Sequence, residues 1–191
     1  MTTVTERHFG VNFVADYEAI GDRPWERFDE VAARQGTLHL RYPGGSSAET
    51  VLDIAHPDAP YREEADGTLK SLTPMSDFFA ACAAMGAHPT VIVPTFSLAS
   101  ETRVDGHRVF DTAQLPALKA FIAQALTQTP PGATLSLEIG NEYAAELTAT
   151  EYGRIASAVA RAIQEVEAGI ANPPATEVYP EPRSKPRTSV R

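Results

Sequence analysis

The chain has 191 residues, is 43% hydrophobic and 21% charged, and carries a formal net charge of -9 and a single cysteine. That length suits one domain, or one domain plus a tail, and is enough to bury a sizeable core. The acidic balance argues against nucleic acid as a partner, since phosphate binding wants a basic patch. One cysteine excludes an internal disulfide and a Cys-based zinc site.

The N-terminal stretch "MTTVTERHFGVNF" lacks a basic region followed by a long apolar run. A classical signal peptide is not expected, which leaves the cytoplasm or export by a non-classical route. The first strand is read over 8–14. A helix follows from "DRPW", where Asp22 can cap and Pro24 suits a first turn; Trp25, Phe28, Val31 and Ala32 share a face, and Gly36 ends it. The second strand runs over 37–42. A long connection follows, with a hairpin turn expected at "ADGT", 65–68. In "TPMSDFFAACAAMG" Thr73 is expected to cap a second helix, with Pro74 in its first position and Gly86 at its end. Cys82 falls among Phe78, Phe79 and Met85 and reads as core.

The third strand, 89–95, is the continuous apolar run of a strand covered on both faces. A second hairpin turn is expected at "VDGH", 104–107. The third helix lies within 115–127, with Leu115, Leu118, Ile122 and Leu126 in phase. "TLSLEI" is the fourth strand. Thr148 and Glu151 form a capping box that opens a fourth helix, with Tyr152, Ile155, Val159, Ile163 and Val166 as its apolar stripe and Gly169 as its stop. After Asn172 the chain turns rich in proline and basic residues without periodicity. The expected organisation is a domain over 1–172 and a disordered or extended tail over 173–191. No apolar run approaches the roughly 20 residues of a membrane helix.

Alternating strands and helices imply parallel strands joined by right-handed crossovers. Ligands in such sheets sit at the C-terminal ends of the strands. Polar residues gather there: 41–47 after the second strand, 95–97 after the third, Asn141 and Glu142 after the fourth. Side chains alternate between faces. By that parity one face is apolar, and the other carries Asn12, His39, Arg41 and Glu138. A doubly wound sheet wants apolar residues on both faces, whereas a barrel interior holds a paired polar network near its mouth. The expected fold is therefore α/β, a partial (β/α)8 TIM-type barrel of about four β/α units with parallel strands, left as an open half barrel.

Two stretches carry chemistry. In "LRYPGGSS" a basic residue ends a strand and a proline with two glycines makes an abrupt turn. On its own this is a glycine-rich loop with Arg41 in an internal salt bridge; no phosphate-cradling motif is present. In "SLEIGNEY" a strand ends by delivering Asn141 and Glu142 together. Glycosidic hydrolysis needs a carboxylic acid to protonate the leaving oxygen and a second carboxylate as nucleophile or base. An amide beside the acid can hold a sugar hydroxyl.

As a pair, "LRYPGG" and "LEIGNEY" resemble the N-terminal half of a clan A glycoside hydrolase, closest to the arabinofuranosidase, xylosidase and heparanase-like barrel families. The likeness covers about residues 8–170. It implies a carbohydrate substrate and no cofactor. It also implies that Glu142 is the general acid/base, that Asn141 holds a substrate hydroxyl, and that Arg41 braces the carboxylates beneath the sugar. Tyr143 either lines the pocket or packs on the barrel rim. Parity places Glu138 inside, so an Arg41–Glu138 contact is expected, with His39 and Asn12 as further bracing residues. The five histidines show no metal-ligand spacing, and Ser46 and Ser47 do not sit in a nucleophile elbow, so neither a metal site nor a serine hydrolase is expected.

The resemblance breaks at the second carboxylate. In the clan the nucleophile is a glutamate on the seventh strand, and four strands are read here. Glu146 and Glu151 belong to a loop and a helix cap, and Glu177 and Glu181 to the tail. The expectation is a truncated or frame-shifted relative of a longer protein, completed by a homodimer or a missing second half. The alternative is a non-catalytic carbohydrate-binding or assembly domain with the same fold. A doubly wound binding domain unrelated to sugars is the third reading.

Overall fold

A computed structural model describes residues 10–13, 39–45, 47–63, 67–141 and 146–180. Its frame is a five-stranded parallel sheet of β1 (Gly10–Asn12), β2 (His39–Tyr42), β5 (His88–Val93), β8 (Thr134–Ile139) and β9 (Ala175–Pro180). The strands lie side by side in chain order, and every neighbouring pair is parallel. The connections from β2 to β5, from β5 to β8 and from β8 to β9 each carry a helix whose apolar residues join the sheet in one core. A doubly wound sheet would reverse direction at a switch point; the described strands contain no such reversal.

The remaining elements are the short helix α1 (Ser47–Thr50), the hairpin β3 (Tyr61–Glu63) and β4 (Leu69–Ser71), and α2 (Met75–Met85). After β5 come the hairpin β6 (Ala99–Val104) and β7 (His107–Phe110), a single 3-10 turn (Thr112–Gln114), then α3 (Leu115–Gln128) and, beyond β8, α4 (Ala149–Gly169). The turn expected at 104–107 is present. Asp105 and Gly106 both have positive φ, 51° and 78°, as a two-residue type I′ hairpin requires. The first helix read from sequence lies outside the described residues.

The core sits between the sheet and α2, α3 and α4. Leu40, Tyr42, Val91, Val93, Leu135, Leu137 and Ile139 supply the sheet side. Phe78 and Cys82 of α2, Leu118 and Ile122 of α3, and Ile155, Val159 and Ile163 of α4 meet them, all nearly inaccessible to solvent. Burial drives the Cys82 thiol well above its usual range, so it packs as an apolar side chain. Lys119 of α3 and Glu165 of α4 form an ion pair of 2.6 Å across the outer surface.

Two expectations need correction. The tail was expected to carry no strand, yet residues 175–180 form β9, paired with β8 over its whole length. As an edge strand β9 is exposed at nearly every position, so it leaves no hydrophobic periodicity. Its only proline, Pro180, is at the strand's end, where a missing N–H is tolerated. Four parallel strands are thus five. The second correction concerns α2, whose N-cap is Pro74 with no side-chain cap. Thr73 Oγ1 is buried without a hydrogen-bond partner among the described residues. Asp58, from the preceding connection, takes the cap role: its Oδ1 accepts from the Ser76 N–H at 2.7 Å, and its Oδ2 from Gln124 of α3 at 2.6 Å. The helix ends as expected at Gly86, in the left-handed conformation.

Candidate functional site

Register places the polar side chains in rows across the face opposite the helices. Asn12, Arg41, Thr90, Ser136 and Glu177 form one row. Toward the C-terminal ends lies a row of Ile92, Glu138 and Tyr179. On the other side lie His39, His88 and Thr134.

Arg41 joins the upper rows. Its Nε and Nη2 donate to the two oxygens of Glu138 at 2.6 and 2.7 Å, a bidentate pair that reaches across β5. Nη1 donates to Asn12 Oδ1 at 3.1 Å, and Nη2 also donates to Asn141 Oδ1 at 2.9 Å. The Arg41 and Glu138 side chains retain only 24% and 19% of their exposure. Ile92, which shares their face on the strand between them, is fully buried.

Gly140 makes the turn that returns Asn141 to Arg41. Its φ is +83°, and its N–H donates to Val93 O at 2.8 Å. A Cβ there would lie 3.0 Å from Thr95 Oγ1 and 3.1 Å from the Tyr152 ring. Backbone sign and crowding both demand glycine. Arginine carries donors alone, so Asn141 must face it with its oxygen. Its Nδ2 is then left buried, with no partner among the described residues.

Glu49, which sequence reasoning did not single out, closes the arrangement. The residue is only 9% exposed. It accepts from the backbone N–H of Thr95, Phe96 and Asn141 and from the Thr95 hydroxyl, at 2.8 to 3.1 Å. No periodicity marks a glutamate in a one-turn helix. The only signal is an acid just after the Pro-Gly-Gly turn, at the end where polar residues gather.

A third carboxylate holds the start of α4. Glu151 completes the expected capping box with Thr148, and it also accepts from the Arg108 N–H at 2.9 Å and Arg103 Nη1 at 3.1 Å. The Arg108 N–H, then the Thr148 N–H and hydroxyl, lower its pKa from 4.5 to about 2.

The structure thus brings together Arg41, Glu138, Asn12 and Asn141. His39 is not in that cluster: its ring stacks on His88 at 5.2 Å. Both line a cavity of about 370 Å³ with Thr90, Thr134, Ser136 and Glu177. Glu142 and Tyr143 lie outside the described residues. Tyr179, assigned to the tail by sequence, stands half-exposed beside Glu138, its hydroxyl donating to Glu177. That bond holds the phenol above its usual pKa. Among the described residues no group of three His, Cys, Asp or Glu is arranged to hold a metal ion. No helix among them is long and apolar enough to cross a membrane.

No protein-family model matches this chain, and no significant match is found among curated proteins or among solved structures.

Proposed function

We propose that this chain is a glycoside-hydrolase-type domain. It binds a carbohydrate at the C-terminal ends of its parallel strands, Asn141 holds a sugar hydroxyl, and Glu142 is the proton donor. The observation that carries the reading is the Arg41 network. One guanidinium orients Glu138 and Asn141 together, and Asn141 precedes the only residue in "GNE" able to give up a proton. An ordered amide next to an acid is what protonation of a glycosidic oxygen with a held hydroxyl needs. Tyr179 adds an aromatic face on the same side of the sheet, suited to the apolar face of a sugar ring. Sequential parallel strands, with a polar face opposite the helices, suit a stretch of (β/α)8-type barrel wall rather than a flat sheet.

Hydrolysis also requires a second carboxylate within about 5–9.5 Å of the first. Glu138 is committed to Arg41, and Glu49 to four donors. Glu177 lies on β9, in register with Ser136 and one row below Glu138, and its carboxylate accepts from the Tyr179 hydroxyl. The second carboxylate would therefore come from outside the described residues, from a second copy or from another half of a barrel. That accounting favours, as a second reading, a carbohydrate-binding domain without hydrolysis.

A panel of aryl glycosides and oligosaccharides separates the two. Hydrolysis by the parent that falls about 100-fold or more in Glu142→Gln supports the acid/base assignment; activity that survives the substitution removes it. Saccharide binding without turnover, weakened in Asn141→Ala, supports the binding reading. Absence of both rejects the carbohydrate proposal.

A further inference from the structure

Glu49 is placed to act on the site without touching a ligand. Its two oxygens offer about four acceptor positions, and four donors fill them: three backbone N–H groups and one hydroxyl. All four belong to the turns at the ends of β5 and β8, two strands whose polar endings come from distant parts of the chain. The carboxylate reaches them from α1, whose Ala48 is fully buried and anchors the turn. The Asn141 N–H, held at 3.0 Å, lies one peptide before Glu142. Arg41 holds the Asn141 side chain from the other side. Asn141 is thereby fixed at both its backbone and its amide.

We propose that Glu49 is a positioning residue for Asn141, setting the height at which the turn after β8 presents that residue above the sheet. The assignment rests on the proposed reading of the site. Charge matters to it as well as shape. A carboxylate presents acceptors to every donor around it, whereas an amide in its place turns an N–H₂ toward one or more N–H groups. Glu49→Gln therefore keeps volume and loses the clamp, while Glu49→Asp keeps the clamp chemistry and shortens its reach by one methylene. A displacement of about 1 Å at a reacting group lowers rates by about 100-fold, so the effect belongs in kcat rather than in KM.

The test compares Glu49→Gln, Glu49→Asp and Ile163→Val, the last a core variant remote from the site that controls for lost stability. On a glycoside that the parent hydrolyses, Glu49→Gln is expected to lower kcat at least about tenfold with KM within about twofold. Glu49→Asp should recover part of the loss, and Ile163→Val should leave kcat unchanged. A Glu49→Gln enzyme that loses no more kcat than Ile163→Val overturns the proposal. If the parent hydrolyses no glycoside, the hydrolytic reading falls separately, and Glu49 is judged by amide hydrogen exchange. Exchange at Asn141 faster by about tenfold in Glu49→Gln than in Ile163→Val, as expected when a protecting hydrogen bond is lost, supports the clamp. Equal exchange in the two overturns it.

Discussion

Arg41 carries one positive charge and donates to side chains of β1, β8 and the turn after β8. Breaking a largely buried pair leaves its partner's charge without compensation. With about a fifth to a quarter of each side chain still exposed, Arg41→Met is expected to lower unfolding stability by about 1–3 kcal/mol in urea titration. Arg41→Lys should recover only part of it, because an ammonium cannot make the bidentate contact. At Gly140, alanine combines a left-handed backbone with a Cβ pressed against Thr95 and Tyr152. Gly140→Ala should cost about 1–3 kcal/mol by the same measurement. Strand parity was enough to pair Arg41 with Glu138 from sequence, since on β2 and β8 both sit on the face opposite Leu40, Leu135, Leu137 and Ile139. Glu49 was not legible, because its partners are backbone groups at residues 95, 96 and 141, and backbone donors leave no mark in side-chain patterns.

At the scale of elements, α2 and α4 are capped in different ways. Glu151 satisfies the first turn of α4 and holds β7 through the Arg108 N–H. Its folded pKa, about 2, lies below its ordinary value of 4.5. The stabilisation it provides is therefore fully present above pH 4.5 and is lost as pH falls from 4.5 toward 2. Thermal unfolding across that window should show a decline that is shallower in Glu151→Gln. The opposite case is α2. If Thr73 capped it, replacement would destabilise; with its hydroxyl buried and without a partner among the described residues, Thr73→Val is expected to leave stability unchanged or to raise it by up to about 1 kcal/mol. "T-P-x-x" reads as a cap locally, but Asp58 reaches Ser76 from 18 positions away and takes the donor first.

At the scale of the whole molecule, β9 is the outermost strand on its side of the sheet among the described residues. It pairs with all six residues of β8 and covers an edge whose side chains include Leu135, Leu137 and Ile139. A chain ending at residue 172 should lose that cover. It is expected to unfold at lower urea concentration and to aggregate at concentrations where the parent stays in solution, read by light scattering. The long helices and the buried strands were legible in the sequence, because each buries a face and burial imposes a period of 3.6 or 2 on the residues. The VDGH hairpin and the left-handed end of α2 were also legible, because glycine alone relieves positive φ cheaply. Tertiary structure alone decided the rest. An exposed edge strand has no face to bury and so no pattern, which hid β9. The clamp at Glu49 and the cap from Asp58 join residues far apart in the chain, and only the folded geometry brings an acceptor to a distant backbone N–H.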